Sequence, residues 1–126
     1  MQMIDFRSDT VTRPTPAMLK VMNAAELGDD VFDDDPTVDR LEALVAETLG
    51  KEVSMFVPSG TQSNLAALMT HCARGDEYIV GQQAHTYLFE GGGGATLGGI
   101  QPQPIDQEPD GPLDLGKHPK LIKPDD

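Results

Sequence analysis

The sequence contains no tryptophan, a single cysteine and nine basic residues against 21 acidic ones. One cysteine excludes an internal disulfide and fits a reducing, cytoplasmic setting. A formal net charge of −12 argues against nucleic acid or an anionic membrane surface as partner, because both call for clustered Lys and Arg. No apolar run is long enough to cross a bilayer, and the start, Met1-Gln2-Met3-Ile4-Asp5-Phe6-Arg7, lacks the apolar stretch of a secretory signal. What is present is ordinary for a soluble α/β protein: 38% hydrophobic residues, few of them aromatic, in 126 positions that suffice for one domain with a modest core.

Helix signals come first along the chain. Thr15-Pro16 reads as an N-cap followed by proline at the first helical position, with Met18, Leu19 and Met22 on one side and an end near Gly28. An acidic loop, Gly28 to Asp35, leads to Asp35-Pro36. There a second helix opens and keeps Val38, Leu41, Leu44, Val45 and Leu49 in helical spacing until Gly50. Val53–Val57 reads as a strand, Thr61–Ala73 as a helix with Leu65, Leu68, Met69 and Cys72 on one stripe, and Glu77–Val80 as a second strand. A short helix is expected near His85. Ile100–Ile105 is a doubtful third strand, because Pro102 and Pro104 suit an edge or a loop entry. Strands alternating with helices predict a mostly parallel sheet with helices on its faces, and so few strands predict the front part of a larger domain.

Chemistry concentrates at Ser59-Gly60-Thr61, where a strand-like run turns through glycine into a helix. Such a turn presents unpaired N–H groups and the positive end of the helix dipole, which suits a phosphate. On the tripeptide alone an ordinary N-cap is the simpler reading. The carboxylates at positions 29, 30, 33, 34 and 35 are of the right type for a hard cation but lack the spacing of a calcium loop, so capping and solvation explain them better. His71, Cys72, His85 and His118 have no zinc spacing, and no metal site is expected. The glycines at 91–94 and 98–99 do not follow a dinucleotide-binding pattern, and close backbone packing accounts for them.

Six segments in order carry a more specific signal: Arg7-Ser8-Asp9-Thr10-Val11-Thr12-Arg13-Pro14, Gly28-Asp29-Asp30-Val31, Asp34-Asp35-Pro36-Thr37, Pro58-Ser59-Gly60-Thr61-Gln62-Ser63-Asn64, Ala84-His85-Thr86-Tyr87-Leu88-Phe89-Glu90 and Gln101-Pro102-Gln103-Pro104-Ile105. Together they closely resemble the N-terminal part of low-specificity L-threonine aldolases, pyridoxal-phosphate (PLP) enzymes of the aspartate-aminotransferase-like fold. The resemblance implies an α/β chain that forms the N-terminal part of the PLP-dependent transferase large domain. Residues 1–36 would supply a helix and an acidic active-site or interface loop, and residues 37–126 the start of the cofactor domain. It further implies that Ser59, Gly60 and Thr61 bind the cofactor phosphate and that His85 stacks over the PLP ring near the substrate hydroxyl. Ser8 would help fix the carboxylate of an amino-acid substrate. Phe32 stands where the family often carries Tyr, and it has no hydroxyl to offer.

The implied reaction is retro-aldol cleavage of L-threonine or L-allo-threonine to glycine and acetaldehyde, with His85 assisting proton transfer from the β-hydroxyl. None of Lys20, Lys51, Lys117, Lys120 and Lys123 matches the position of the family's Schiff-base lysine, so this chain alone is expected to be inactive. The resemblance implies homodimers or homotetramers at full length. Two other readings stay open: a related PLP-dependent β-eliminating lyase, and a truncated, non-catalytic product.

Overall fold

The computed structural model describes residues 4–108, 110–111, 113, 116 and 121–123. Lys117, His118 and Lys120 lie outside the described residues. The chain divides into two compact units, Met1–Phe56 and Val57–Asp126.

The first unit holds two helices. Helix α1, Pro16–Asn23, is capped by Thr15, whose hydroxyl accepts from the Met18 N–H. It ends five residues before Gly28, earlier than its apolar spacing predicts. The reason is tertiary: the residues after it are tied to the start of the next helix. The Glu26 carbonyl accepts from Thr37 Oγ1 at 2.7 Å, and the Gly28 N–H donates to Asp35 Oδ2 at 3.2 Å. Helix α2, Pro36–Leu49, follows its sequence signals at both ends. Asp35 Oδ1 accepts from the Thr37 and Val38 N–H groups, proline takes the first helical position, and Gly50 closes the helix in left-handed backbone (φ 61°).

Val53–Val57 corrects the sequence expectation: it is not a strand. A strand exists only through a partner's N–H and C=O groups, and here the Phe56 N–H goes to α2 instead. Ser54 Oγ donates to the Glu42 carbonyl at 2.7 Å and the Phe56 N–H to Glu42 Oε1 at 2.5 Å. Met55 and Phe56 share a shallow pocket with Leu41 and Val45 of α2.

The second unit opens with α3, Gly60–His71, and continues through β1 (Glu77–Gly81), α4 (His85–Leu88), α5 (Gly93–Thr96) and β2 (Gln101–Ile105). The doubtful strand is real: β2 runs parallel to β1 in register Glu77↔Gln101 through Gly81↔Ile105. The Gln101 N–H donates to the Asp76 carbonyl at 2.8 Å. Because strand residues alternate, Pro102 and Pro104 have their ring nitrogens on the side away from β1, where no donor is missed. The core of this unit is Val80, Ile100 and Ile105. Helix α3 reaches α5 through Leu65 and Leu68, which lie over Gly93 and Gly94. Among the described residues no helix is long and apolar enough to cross a membrane.

Two substitutions test the acidic loop. A methyl group on Gly28 would lie 2.0 Å from the Asp34 carbonyl oxygen, which is backbone and has little room to yield. Gly28→Ala is expected to destabilise the first unit by about 1–3 kcal/mol in chemical denaturation. Hydrogen bonds from the Val38 and Gly28 N–H groups hold the Asp35 carboxyl below its ordinary value of 3.8. Its contribution to stability is therefore complete above that value and is lost as pH falls through the lowered one. Asp35→Asn keeps a good cap and removes the titration, so the acid-range weakening of the first turn of α2, read by amide exchange, should be smaller in the variant.

Candidate functional site

The N-terminus of α3 is built by its cap. Ser59 Oγ accepts from the Gln62 N–H at 3.1 Å, and the Ser59 carbonyl accepts from the Ser63 N–H. The N–H groups of Gly60 and Thr61 have no acceptor among the described residues, as the first turn of a helix requires. Nothing beyond its own turn lies within 4 Å of the position a Cβ would take on Gly60. Two free donors, a nearby hydroxyl on Thr61 and the positive end of a 12-residue helix form a cradle that fits a phosphate group.

His85 opens α4, with its side chain 63% exposed. Its Nδ1 lies 2.6 Å from Glu90 Oε1, and its ring is tilted 40° against that of Phe89 at a centroid distance of 5.0 Å. Glu90 is the opposite case, with a side chain only 5% exposed. Its Oε1 also accepts from Asn64 Nδ2 at 2.7 Å. Burial pushes the Glu90 carboxyl up, but the bonds from His85 and Asn64 more than offset this and hold it below its ordinary value. Asn64 lies on α3 four residues after Gly60. One carboxylate therefore links the phosphate-type cradle to the imidazole. Neither Asn64 nor Glu90 was assigned a role on sequence grounds, although both fall inside the motif segments. The five-residue separation of His85 and Glu90 is no standard helical pairing, and it works only because the chain turns sharply between them.

That turn also corrects the reading of the glycines. Gly91 and Gly92 have open space around them and are left-handed, with φ of 61° and 63°, so conformation explains them and close packing does not. Gly94 and Gly98 are closely packed, the latter against the Gly94 carbonyl.

Ser8 belongs to the first unit, exposed at the head of the 3₁₀ turn Asp9–Val11. Its Oγ accepts from the Thr10 N–H at 3.2 Å and from Thr10 Oγ1 at 2.9 Å. Arg7, beside it, grips Asp5 through Nε and a terminal nitrogen. Phe32 is exposed in the turn Asp30–Phe32. In the acidic loop, Asp29 accepts from the Val31 N–H, Asp34 from the Asp29 N–H, and Asp35 from three N–H groups. Lys123 pairs with Glu77.

A family model described as Beta-eliminating lyase matches residues 5–126. The chain is 64% identical over 124 residues to the low specificity L-threonine aldolase of Escherichia coli K12, an alignment covering 98% of this chain and 37% of the relative. It is 50% identical over 116 residues to low-specificity L-threonine aldolase 1 of Arabidopsis thaliana, covering 91% of this chain and 32% of the relative. An alanine racemase of Cochliobolus carbonum is 41% identical over 104 residues, covering 80% and 26%. The chain thus spans about a third of the length of these curated relatives.

Ser59→Ala tests the cap that shapes the cradle. Loss of the acceptor for the Gln62 N–H should destabilise the second unit by about 1 kcal/mol, with faster amide exchange confined to the first turn of α3.

Proposed function

Because this chain belongs to the beta-eliminating lyase family, we propose that it forms the N-terminal part of a PLP-dependent aldehyde-lyase that cleaves L-threonine or L-allo-threonine to glycine and acetaldehyde. The observation that carries this reading is the 64% identity of 98% of this chain to about a third of the Escherichia coli threonine aldolase, a stretch that includes Ser59-Gly60-Thr61 and His85.

The donor set of the second unit fits the cofactor. The free N–H groups of Gly60 and Thr61, with the Thr61 hydroxyl, would hold the phosphate, and Ser59 would keep that turn in shape. His85 would cover the cofactor ring with its exposed face. The chemistry that PLP supplies when bound is an electron sink for the pair released as the Cα–Cβ bond breaks. His85 takes the β-hydroxyl proton, directly or through a water, so that the aldehyde can leave. Ser8 Oγ donates to the substrate carboxylate, in exchange for its present donation to Asp9 Oδ1. Residues 1–36 then act as the helix and acidic loop that approach the site at a subunit interface, and residues 37–126 as the start of the cofactor domain. Homodimers or homotetramers in the cytoplasm are the expected form. The exposure of Phe6, Val53, Met55 and Phe56 supports this, since such apolar surface is ordinarily covered.

The alanine racemase among the relatives favours keeping a second reading, a different PLP reaction on an amino acid, with β-elimination the first alternative. Product analysis of the complete polypeptide with PLP and L-threonine decides between them. Glycine and acetaldehyde in equal amounts support the aldolase. An α-keto acid with ammonia indicates elimination, and no turnover indicates a non-catalytic product. His85→Asn should lower kcat by roughly 10²–10⁴-fold, and an unchanged rate would remove His85 from the chemistry. Ser59→Asp keeps the cap but sets a negative charge beside the phosphate, so PLP affinity should fall about tenfold or more while stability is retained.

A further inference from the structure

We propose that Glu90 is a positioning residue that fixes the proton on His85 Nδ1 and so makes Nε2 the working nitrogen. An ionised carboxylate only accepts hydrogen bonds, and it lies 2.6 Å from Nδ1, so that nitrogen carries the hydrogen. Nε2 is left with its lone pair, on a side chain that is 63% exposed. If His85 is the proton acceptor proposed above, on which this assignment rests, the β-hydroxyl proton goes to Nε2.

Three observations separate Glu90 from an incidental neighbour. Its side chain is 95% buried by accessible area, against 63% exposure for the histidine, so the carboxylate is the fixed partner and the imidazole the presented one. The same Oε1 that receives Nδ1–H receives Asn64 Nδ2, which ties the imidazole to α3 and sets its separation from the cradle at Gly60 and Thr61. Glu90 also holds a left-handed backbone conformation, φ 59°, in a stretch where Gly91 and Gly92 do the same. A side chain with a Cβ is disfavoured there and glycine is not, so what Glu adds is its carboxylate.

The test uses the complete polypeptide labelled with ¹⁵N-histidine, at alkaline pH, with the His85 signals assigned by their loss in His85→Asn. The wild type should show His85 as the Nδ1–H form. An Nε2–H form, which free histidine favours, would overturn the assignment before any variant is made. Glu90→Ala adds no backbone conflict, since Glu90 already carries a Cβ, and should return the ring to the Nε2–H form. Its kcat should fall by about tenfold or more, toward the roughly 10⁴-fold seen when a catalytic histidine loses the carboxylate that fixes its tautomer, with KM and PLP affinity changed less. Glu90→Gln retains an oxygen that accepts both bonds and should rescue the Nδ1–H form. A Glu90→Ala protein that melts lower yet keeps the wild-type form would make Glu90 merely structural and sink the proposal. Failure of the aldolase reading looks different: the wild type would then release no acetaldehyde, while the tautomer pattern would still decide the role of Glu90.

Discussion

A carboxylate taken out of water must be answered by donors, and in the second unit Glu90 is answered by two side chains from different helices. Asn64 reaches it from α3 and His85 from α4, and both end on the same oxygen. Without that shared acceptor the unit would still have its parallel pair of strands and its small core of Val80, Ile100 and Ile105. It would have only the long bond from the Tyr78 hydroxyl to the Thr86 carbonyl, 3.4 Å, to hold α4 through a side chain, and that helix is only four residues long and has no side-chain cap. A helix that short is not stable by itself. The bonds that hold the imidazole therefore also help to hold the helix that carries it, and site geometry and local fold have one cause.

How much of this was legible in the sequence depends on how local each cause is. Helix α2 was legible at both ends because Asp35, Pro36 and Gly50 act within one turn of the boundaries they set. Ser59 at the head of α3 was legible for the same reason. The early end of α1 was not, because Thr37 and Asp35, far along the chain, capture the residues that would have continued it. Val53–Val57 has the composition of a strand, but composition does not supply a partner, and Glu42 takes the Phe56 N–H that a neighbouring strand would need. The reverse error was made at β2. Its two prolines counted against a strand, yet both fall at alternate positions where the ladder to β1 needs no donor. Glu90 was invisible because its meaning lies in a left-handed turn that sequence spacing does not reveal.

The acidic character of the chain does not conflict with an anion cradle. Net charge acts over long distances and is screened within about 10 Å at ordinary salt. The donors at Gly60 and Thr61 act at contact distance, where direction and the helix dipole decide. Much of the negative charge in the acidic loop is also locally engaged. Asp29, Asp34 and Asp35 each accept backbone hydrogen bonds, and those at Asp35 are strong enough to lower its proton affinity. Carboxylates used this way shape the Gly28–Asp35 turn and start α2.

The distribution of burial bears on what completes the proposed site. Across the described residues the buried hydrophobic side chains are Ala46, Val80, Ile100 and Ile105, while Phe6, Leu27, Val31, Phe32, Val53 and Met55 are each at least 70% exposed. Side chains of that size leave water at roughly 25 cal/mol per Å² of apolar surface covered, so a surface this apolar has much to gain from contact. On the aldolase reading the same contact is needed chemically. There the cradle and the imidazole would supply a phosphate anchor and a proton acceptor, but no described lysine stands where the Schiff-base lysine is expected. On that reading a covalent anchor for the cofactor is still required, and the described lysines do not supply it. The apolar surface and the incomplete chemistry thus make the same demand, and one docking event that covered the first could supply the second.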